Sequence, residues 1–384
     1  MGKRVAITGF GQTHHSARRW DVNGLELIQE AVTRALTDAE LTLKDIDAIV
    51  IGNMDHFEGI NYVDTWSVEG CGAFLKPIFK VTTGGTTGTT VAIAGYYHVA
   101  SGMFDNVLAI GWEKNSESDT TGAIITCSDP IWDRFSYSGA IPSLAVEASA
   151  YMTRFGITER DAARVTARDR THAVNNPYAH LRTAVTVEEV MRSSMLTDPI
   201  KLLDICPRSD GAAAVIFTSE EKAEKICPKP AWIHSVSVRH DTTWFGDIDY
   251  VQMGSLESAA REVFRLADIR EPLKELDMCE LYLPYSFAGL KWMEAIGFCP
   301  PGEAPKLLWD GVTDMGGNLP VNPSGGVLST NCIGATALLR VGEVAHQIMG
   351  KADKRQVPGV RLAMATGFGG CFWSDALILG AERP

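Results

Sequence analysis

Leu43-Lys-Asp-Ile-Asp-Ala-Ile-Val-Ile51 and, 230 positions later, Leu273-Lys-Glu-Leu-Asp-Met-Cys-Glu-Leu281 follow one pattern, a short polar lead into an apolar strand. Each comes after a stretch with helical apolar spacing, from Leu25 to Leu36 and from Leu256 to Leu266. The pattern continues further on. Thr82-Thr-Gly-Gly-Thr-Thr-Gly88 opens a helix to Val99 and a strand from Asn106 to Gly111; Asn331-Cys-Ile-Gly334 opens a helix to Met349 and a strand from Val360 to Thr366. Strand, helix, strand order implies parallel strands covered by helices. The chain therefore reads as two related α/β halves, 1–225 and 233–384, joined where Ile226-Cys-Pro-Lys-Pro230 breaks any element. If the halves are related, Gly88 and Gly334 are counterparts. Two helix N-termini then face a common anion or oxyanion site.

The stretch Asn322-Pro-Ser-Gly-Gly-Val-Leu-Ser-Thr-Asn-Cys-Ile-Gly-Ala-Thr336 carries a cysteine to the start of the second of those helices. Thr330 and Asn331 are candidate N-caps, which puts Cys332 just before or inside the first turn. The positive end of the helix dipole is expected to lower the pKa of a thiol there. Against this, free cysteine is among the most buried residue types, and a structural thiol is the commoner outcome.

Residues 115–207 are longer than a connection needs to be. They hold two amphipathic helices, Ser143 to Phe155 and Glu159 to Ala173, and a basic run of Arg164, Arg168, Arg170, His172, His180 and Arg182. Insertions of this kind cover substrates or contact subunits. The run can hold a phosphate-rich ligand or form a solvated helix face. Ser209-Asp-Gly-Ala-Ala-Ala-Val-Ile-Phe217 then turns into an apolar strand.

Composition sets the bounds. With 384 residues, 45% hydrophobic and 21% charged, the chain is an ordinary globular one, and a net charge of -12 gives no support for nucleic-acid binding. There is no apolar signal core and no run of eighteen apolar residues, so a cytoplasmic protein away from membranes is expected. Eight cysteines are scattered without Cys-x-x-Cys or Cys/His clusters, so neither a disulfide framework nor a metal site is expected.

Five motifs in order, Val5-Ala-Ile-Thr-Gly-Phe-Gly-Gln-Thr13, Ser209-Asp-Gly-Ala-Ala-Ala214, Ile296-Gly-Phe-Cys-Pro-Pro-Gly-Glu303, Asn322-Pro-Ser-Gly-Gly326 and Gly367-Phe-Gly-Gly370, resemble the lipid-transfer-protein-like branch of the thiolase superfamily. The resemblance covers essentially the whole chain. It implies a duplicated five-layer αβαβα fold, a homodimeric core, acyl-CoA substrates, and coenzyme A as cosubstrate with no covalently bound cofactor. The active-site motifs depart from the family. The usual nucleophilic cysteine falls on Gly85, the Asn-Glu-Ala-Phe element on Tyr282-Leu-Pro-Tyr285, and the Gly-His-Pro histidine on Cys332, one residue short. The last Cys-x-Gly element becomes Ala365-Thr-Gly-Phe-Gly-Gly-Cys371. Such departures resemble benzoylsuccinyl-CoA thiolase and the steroid side-chain aldolases, whose large subunits work with a small zinc-ribbon/OB-fold partner.

Cleaving a 3-oxoacyl-CoA needs a nucleophile, oxyanion donors and enolate stabilisation. Cys332 is the candidate nucleophile and Cys371 a second acid or base. Gly85, Thr86, Thr87, Gly325, Gly326, Gly369 and Gly370 offer backbone approach, and Arg182 a cation for the cofactor's phosphates. A retro-aldol cleavage of a 3-hydroxyacyl-CoA needs only a base at the C3 hydroxyl, and Tyr282 or Tyr285 can serve if its pKa is lowered. His56, just past the second strand, is the nominated histidine. Thiolytic cleavage of a branched or aromatic 3-oxoacyl-CoA, such as benzoylsuccinyl-CoA, is the leading expectation. The retro-aldolase and a non-catalytic acyl-CoA or lipid-binding subunit are its rivals.

Overall fold

Strand β1 (Val5–Gln12) is buried along all eight residues, Thr8 and Gln12 included, as a strand covered on both faces is. The structure, a computed structural model, describes residues 2–384 apart from 60, 136, 243–245, 247, 371 and 372. In order after β1 come α1 (Gly24–Asp38), β2 (Ala48–Gly52), β3 (Ile78–Lys80), α2 (Thr87–Ala100), β4 (Asn106–Lys114), α3 (Ala140–Phe155), α4 (Glu159–Ala173) and β5 (Asp210–Ser219). The second series is β6 (Ala231–His240), α5 (Gly254–Leu266), β7 (Met278–Glu280), α6 (Ala288–Ile296), α7 (Ile333–Met349), β8 (Leu362–Phe368) and β9 (Trp373–Gly380). Helix starts follow local chemistry. Asn23 with Glu26 and Thr158 with Asp161 form capping boxes that satisfy the free N–H groups opening α1 and α4.

The strands lie in the order β3-β2-β4-β5-β1-β6-β9-β8-β7. Strands β3, β2 and β4 are parallel, and β5 runs antiparallel to both β4 and β1. On the other side β7 and β8 are parallel, and β9 is antiparallel to both β8 and β6. Val321 bridges to Cys279 in parallel, taking the place that β3 has beside β2. The order outward from β1 is thus repeated outward from β6. The two groups meet where β1 and β6 pair, Ala6 with Trp232 and Ile7 with Ala231.

Five layers result. Helix α1 packs Leu27, Ala31 and Ala35 on Ile49, Ile51 and Leu108 of the first group. Helices α2 and α7 fill the space between the groups, with Val91, Leu338 and Val344 against Val50, Val215, Ala363 and Leu377. Helices α3, α5 and α6 cover the outer face of the second group at Met364 and Ile378. Helix α7 is buried nearly all round, as a central helix must be. A Cβ on Gly88 would collide with the backbone at Leu338 and lie 3.1 Å from Ala337, so α2 and α7 cross in close contact there. Gly334 meets Trp112 and Glu113 of β4 instead. No helix among the described residues is long and apolar enough to cross a membrane.

Candidate active site

The segment leading into α2 is tied to the β8–β9 loop. Thr87 closes the turn, its hydroxyl donating to Gly84 O at 2.6 Å and accepting from the Thr83 N–H at 3.0 Å. The Trp373 indole N–H donates to Thr83 O at 2.8 Å, and its ring fills the space beside Gly84 and Gly369. The Gly369 N–H is donated to Trp373 O at 3.0 Å, so it is not free for a bound ligand. The Thr87 hydroxyl is likewise committed within the turn. A Cβ on Gly85 would overlap Phe368 O and stand 3.3 Å from Gly369 Cα. The place of the expected family nucleophile is closed by main chain. Gly370 is exposed, and Cys371 lies outside the described residues.

Cys332 is itself the N-cap of α7, with Thr330 and Asn331 preceding it, so neither expected cap is used. Its Sγ is fully buried, 3.2 Å from His15 Nδ1. His15 Nε2 lies 3.3 Å from Gln12 Oε1, an acceptor, which assigns the ring proton to Nε2 and makes the thiol the donor to Nδ1. Burial pushes the thiol pKa up, with the Asp210 charge adding, and burial, helped by Arg340, brings His15 down to about 3. The pair is neutral. This corrects the expectation of an activated thiolate, and the reason is local. The Gly334 N–H at the start of α7 is already taken by Glu113 Oε2 at 2.9 Å, which also accepts from the Met54 N–H at 3.0 Å. Burial and the nearby Glu58 hold Glu113 well above the usual carboxylate range. The positive end of α7 is therefore occupied, and the two helix starts do not share an open anion site.

Asn331, one residue earlier, meets Tyr282. The Tyr282 hydroxyl lies 3.3 Å from Asn331 Oδ1, the Thr336 hydroxyl donates to the same oxygen at 2.9 Å, and Asn331 Nδ2 donates to Cys206 Sγ at 3.2 Å. The Tyr282 ring lies 6.0 Å from the ring of Phe368, the residue whose main-chain oxygen stands against Gly85. Burial, followed by Cys206, pushes the Tyr282 hydroxyl up, and burial takes Cys206 to about 11. Tyr282 is therefore a proton donor rather than the base that a lowered pKa would make it. Tyr285 is not its partner. Its hydroxyl is 3.2 Å from Glu147 Oε2, which also accepts from Lys291 Nζ at 2.7 Å in the core under α3 and α6.

The remaining expected residues are distributed elsewhere. His56 is exposed at the tip of a loop whose Met54 and Phe57 pack on Ile333. Gly325 and Gly326, at φ 89° and 58°, let the 322–326 turn lie on Ala173 and Asn322; they are buried and offer no surface to a cofactor. Glu280 fastens that turn to α7 by accepting from Ser324 and pairing with Arg340. The first part of the basic run is turned inward: Arg168 binds Asp169 and Thr313, Arg164 pairs with Asp314, and His172 meets Asn322 O at 3.1 Å. Arg182 is exposed, and next to it Leu181 is bonded to Ser329. Sequence reasoning missed His15, Cys206 and the orientation of Asn331. Cys206 stands three residues before the Ser209-Asp-Gly signature, the one signal that pointed to it. Among the described residues no three His, Cys, Asp or Glu side chains converge to hold a metal, and the described cysteines are free thiols.

Two family models match, the thiolase N-terminal domain over residues 4–221 and the thiolase C-terminal domain-like model over 238–381. The chain is 34% identical over 372 residues to an acetyl-CoA acetyltransferase of Methanothermobacter thermautotrophicus, covering 95% of this chain and 96% of that one. It is 28% identical over 380 residues to the benzoylsuccinyl-CoA thiolase subunit BbsB of Thauera aromatica, covering 97% and 96%. Among solved structures, an Ltp2-ChsH2(DUF35) aldolase has a TM-score of 0.86 at 26% identity, over 100% of this chain and 99% of that one.

Proposed function

The chain belongs to the thiolase family of acyltransferase enzymes, and on that premise we propose that it cleaves the C2–C3 bond of an acyl-CoA in the aldolase manner, without a covalent acyl-enzyme. The observation that carries this reading is Gly85, where a side-chain nucleophile would overlap Phe368 O. Cys332 does not replace it, because its thiol is buried, protonated and bonded to His15. In a retro-aldol reaction the C3 hydroxyl of a 3-hydroxyacyl-CoA loses its proton and the C2–C3 bond breaks. An aldehyde or ketone leaves, and the electron pair passes to the thioester enolate. Tyr282, held protonated by burial, gives its proton to the enolate; Asn331 holds the phenol in place. Backbone N–H groups of Gly85 and Thr86 at the start of α2 serve the thioester oxygen.

Thiolytic cleavage of a 3-oxoacyl-CoA by free coenzyme A is the second reading, favoured by the 34% identity to a relative named acetyl-CoA acetyltransferase. Benzoylsuccinyl-CoA is its candidate substrate, after the subunit at 28% identity. A homodimeric core is supported by edge strand β3, where Phe79 is exposed, and by Phe74 and Leu75, exposed just before it. A small zinc-ribbon/OB-fold subunit is supported by the DUF35 component in the similar aldolase structure and by the exposed Ile131, Trp132 and Phe135 of the insertion.

Mass spectrometry separates the two reactions. The enzyme is incubated with a 3-hydroxyacyl-CoA alone and with a 3-oxoacyl-CoA plus coenzyme A. The proposal expects a shortened acyl-CoA and a free carbonyl compound in the first mixture without consumption of coenzyme A. Two acyl-CoA products in the second mixture alone would reverse the assignment.

A further inference from the structure

A retro-aldol cleavage needs a base, and Tyr282 is not one. Beneath the start of α2 lies a carboxyl group that no motif announces. Asp375 of β9 is fully buried, and its Oδ2 accepts from the Thr89 hydroxyl at 2.7 Å and from the Thr90 hydroxyl at 2.8 Å. The Thr83 hydroxyl donates to Thr90 Oγ1 at 2.8 Å, and the Thr86 hydroxyl donates to Thr83 O at 2.8 Å. One consistent set of hydroxyl directions runs from Thr83 through Thr90 to Asp375. Thr83 is the partly exposed end of this chain and stands two residues before Gly85. The other carboxylate oxygen, Oδ1, is buried and has no hydrogen-bond partner among the described residues.

We propose that Asp375 receives the proton of the substrate's C3 hydroxyl, passed to it through the hydroxyls of Thr83 and Thr90. The inference rests on the aldolase reading above. The C3 hydroxyl gives its proton to Thr83 Oγ1, the Thr83 proton moves to Thr90 Oγ1, and the Thr90 proton moves to Asp375 Oδ2. The C3–O bond becomes a carbonyl as C2–C3 breaks, and the C2 carbanion is protonated by Tyr282. One proton then leaves Asp375 by the same hydroxyls and one returns to Tyr282 from solvent, so no co-reactant is needed. The carboxyl suits the task, because burial raises its pKa to about 6, opposed by the two threonine bonds. Its strand neighbours are Gly367 and Val238, α2 brings only Thr89 and Thr90, and α5 brings Ser255 to the adjacent Ser374. Among the described residues no charged side chain contributes to the shift.

The test is the pH profile of kcat on a 3-hydroxyacyl-CoA for the full chain and the variants T90V, T90S and D375N. The wild type is expected to lose activity below about pH 6, as the carboxyl protonates. T90V keeps the volume but interrupts the hydroxyl chain, and kcat is expected to fall roughly 100-fold, the usual worth of a positioned base. T90S restores the hydroxyl and most of the rate. D375N falls like T90V and loses the acid limb. Wild-type rate in T90V, or an unchanged acid limb in D375N, overturns the relay while leaving the aldolase reading intact. A wild-type enzyme that does not cleave 3-hydroxyacyl-CoA overturns both.

Discussion

The hydroxyl of Tyr282 and the amide oxygen of Asn331 lie 3.3 Å apart, although 49 residues separate them in the chain. Because Thr336 also donates to that oxygen, the amide is fixed with Nδ2 toward Cys206. Tyr282→Phe removes the donor and keeps the ring against Phe368. The expected result is a fall in kcat of roughly 100-fold with KM little changed, the signature of an interaction made in the transition state. The stability cost should be only about 1 kcal/mol, the net worth of one hydrogen bond. Chemical unfolding and steady-state kinetics check the two together.

Cys332→Ala should leave turnover near the wild-type level, because Sγ meets His15 and not Tyr282. It should cost ~1–2 kcal/mol through lost packing and an unpaired His15. In the native protein Cys332 should also resist alkylation at pH 8, since burial holds the thiol protonated. Loss of turnover in a variant that unfolds like the wild type would make Cys332 the nucleophile after all.

Gly85→Cys places the usual family nucleophile back at its position. The new Cβ overlaps Phe368 O, so the β8–β9 loop must move, at a cost of ~1–3 kcal/mol typical of overpacking. Thiolysis is not expected to appear. A burst of acyl-enzyme detected by intact-protein mass spectrometry would contradict this.

Asp375 also leaves a thermodynamic mark. Its pKa is about 6 in the fold and near 3.8 when unfolded, so the unfolded chain releases this proton first as pH rises. The stabilising contribution is present below about pH 4 and is lost through pH 6. Asp375→Asn should therefore gain stability relative to wild type by on the order of 2–3 kcal/mol between pH 4 and pH 8. Paired denaturant titrations at the two pH values measure that difference directly. A constant gap would mean that Asp375 is not buried in its ionised form.

The fold was legible because its signals are local. The helix expected over Glu159 to Ala173 has those bounds, and the repeated strand leads at Leu43 and Leu273 open the central parallel strands of each group. The site was less so, because its contacts are distant. His15 reaches Cys332 across 317 residues, and Arg164 finds Asp314 across 150, so the start of a basic run that looked free is paired. Which of Asn331 and Cys332 faces Tyr282 depends on the turn set by Gly325 and Gly326, and a shift of one residue rotates a helix start by about 100°. The threonines at 83, 86, 89 and 90 stood in plain view as a turn. Only the arrival of Asp375 from a strand nearly three hundred residues later gives Thr89 and Thr90 a common acceptor and the chain from Thr83 an end.

The junction at Ala6–Trp232 and Ile7–Ala231 makes the two groups edge neighbours rather than separate bodies. Severing the chain within residues 227–230 would expose complementary strand margins, β1 on one piece and β6 on the other, together with the facing sides of α2 and α7. Pieces of that kind recognise each other better than they tolerate water. Coexpressed from two reading frames, they should reassemble into a working enzyme, with loss of either piece leaving the other insoluble.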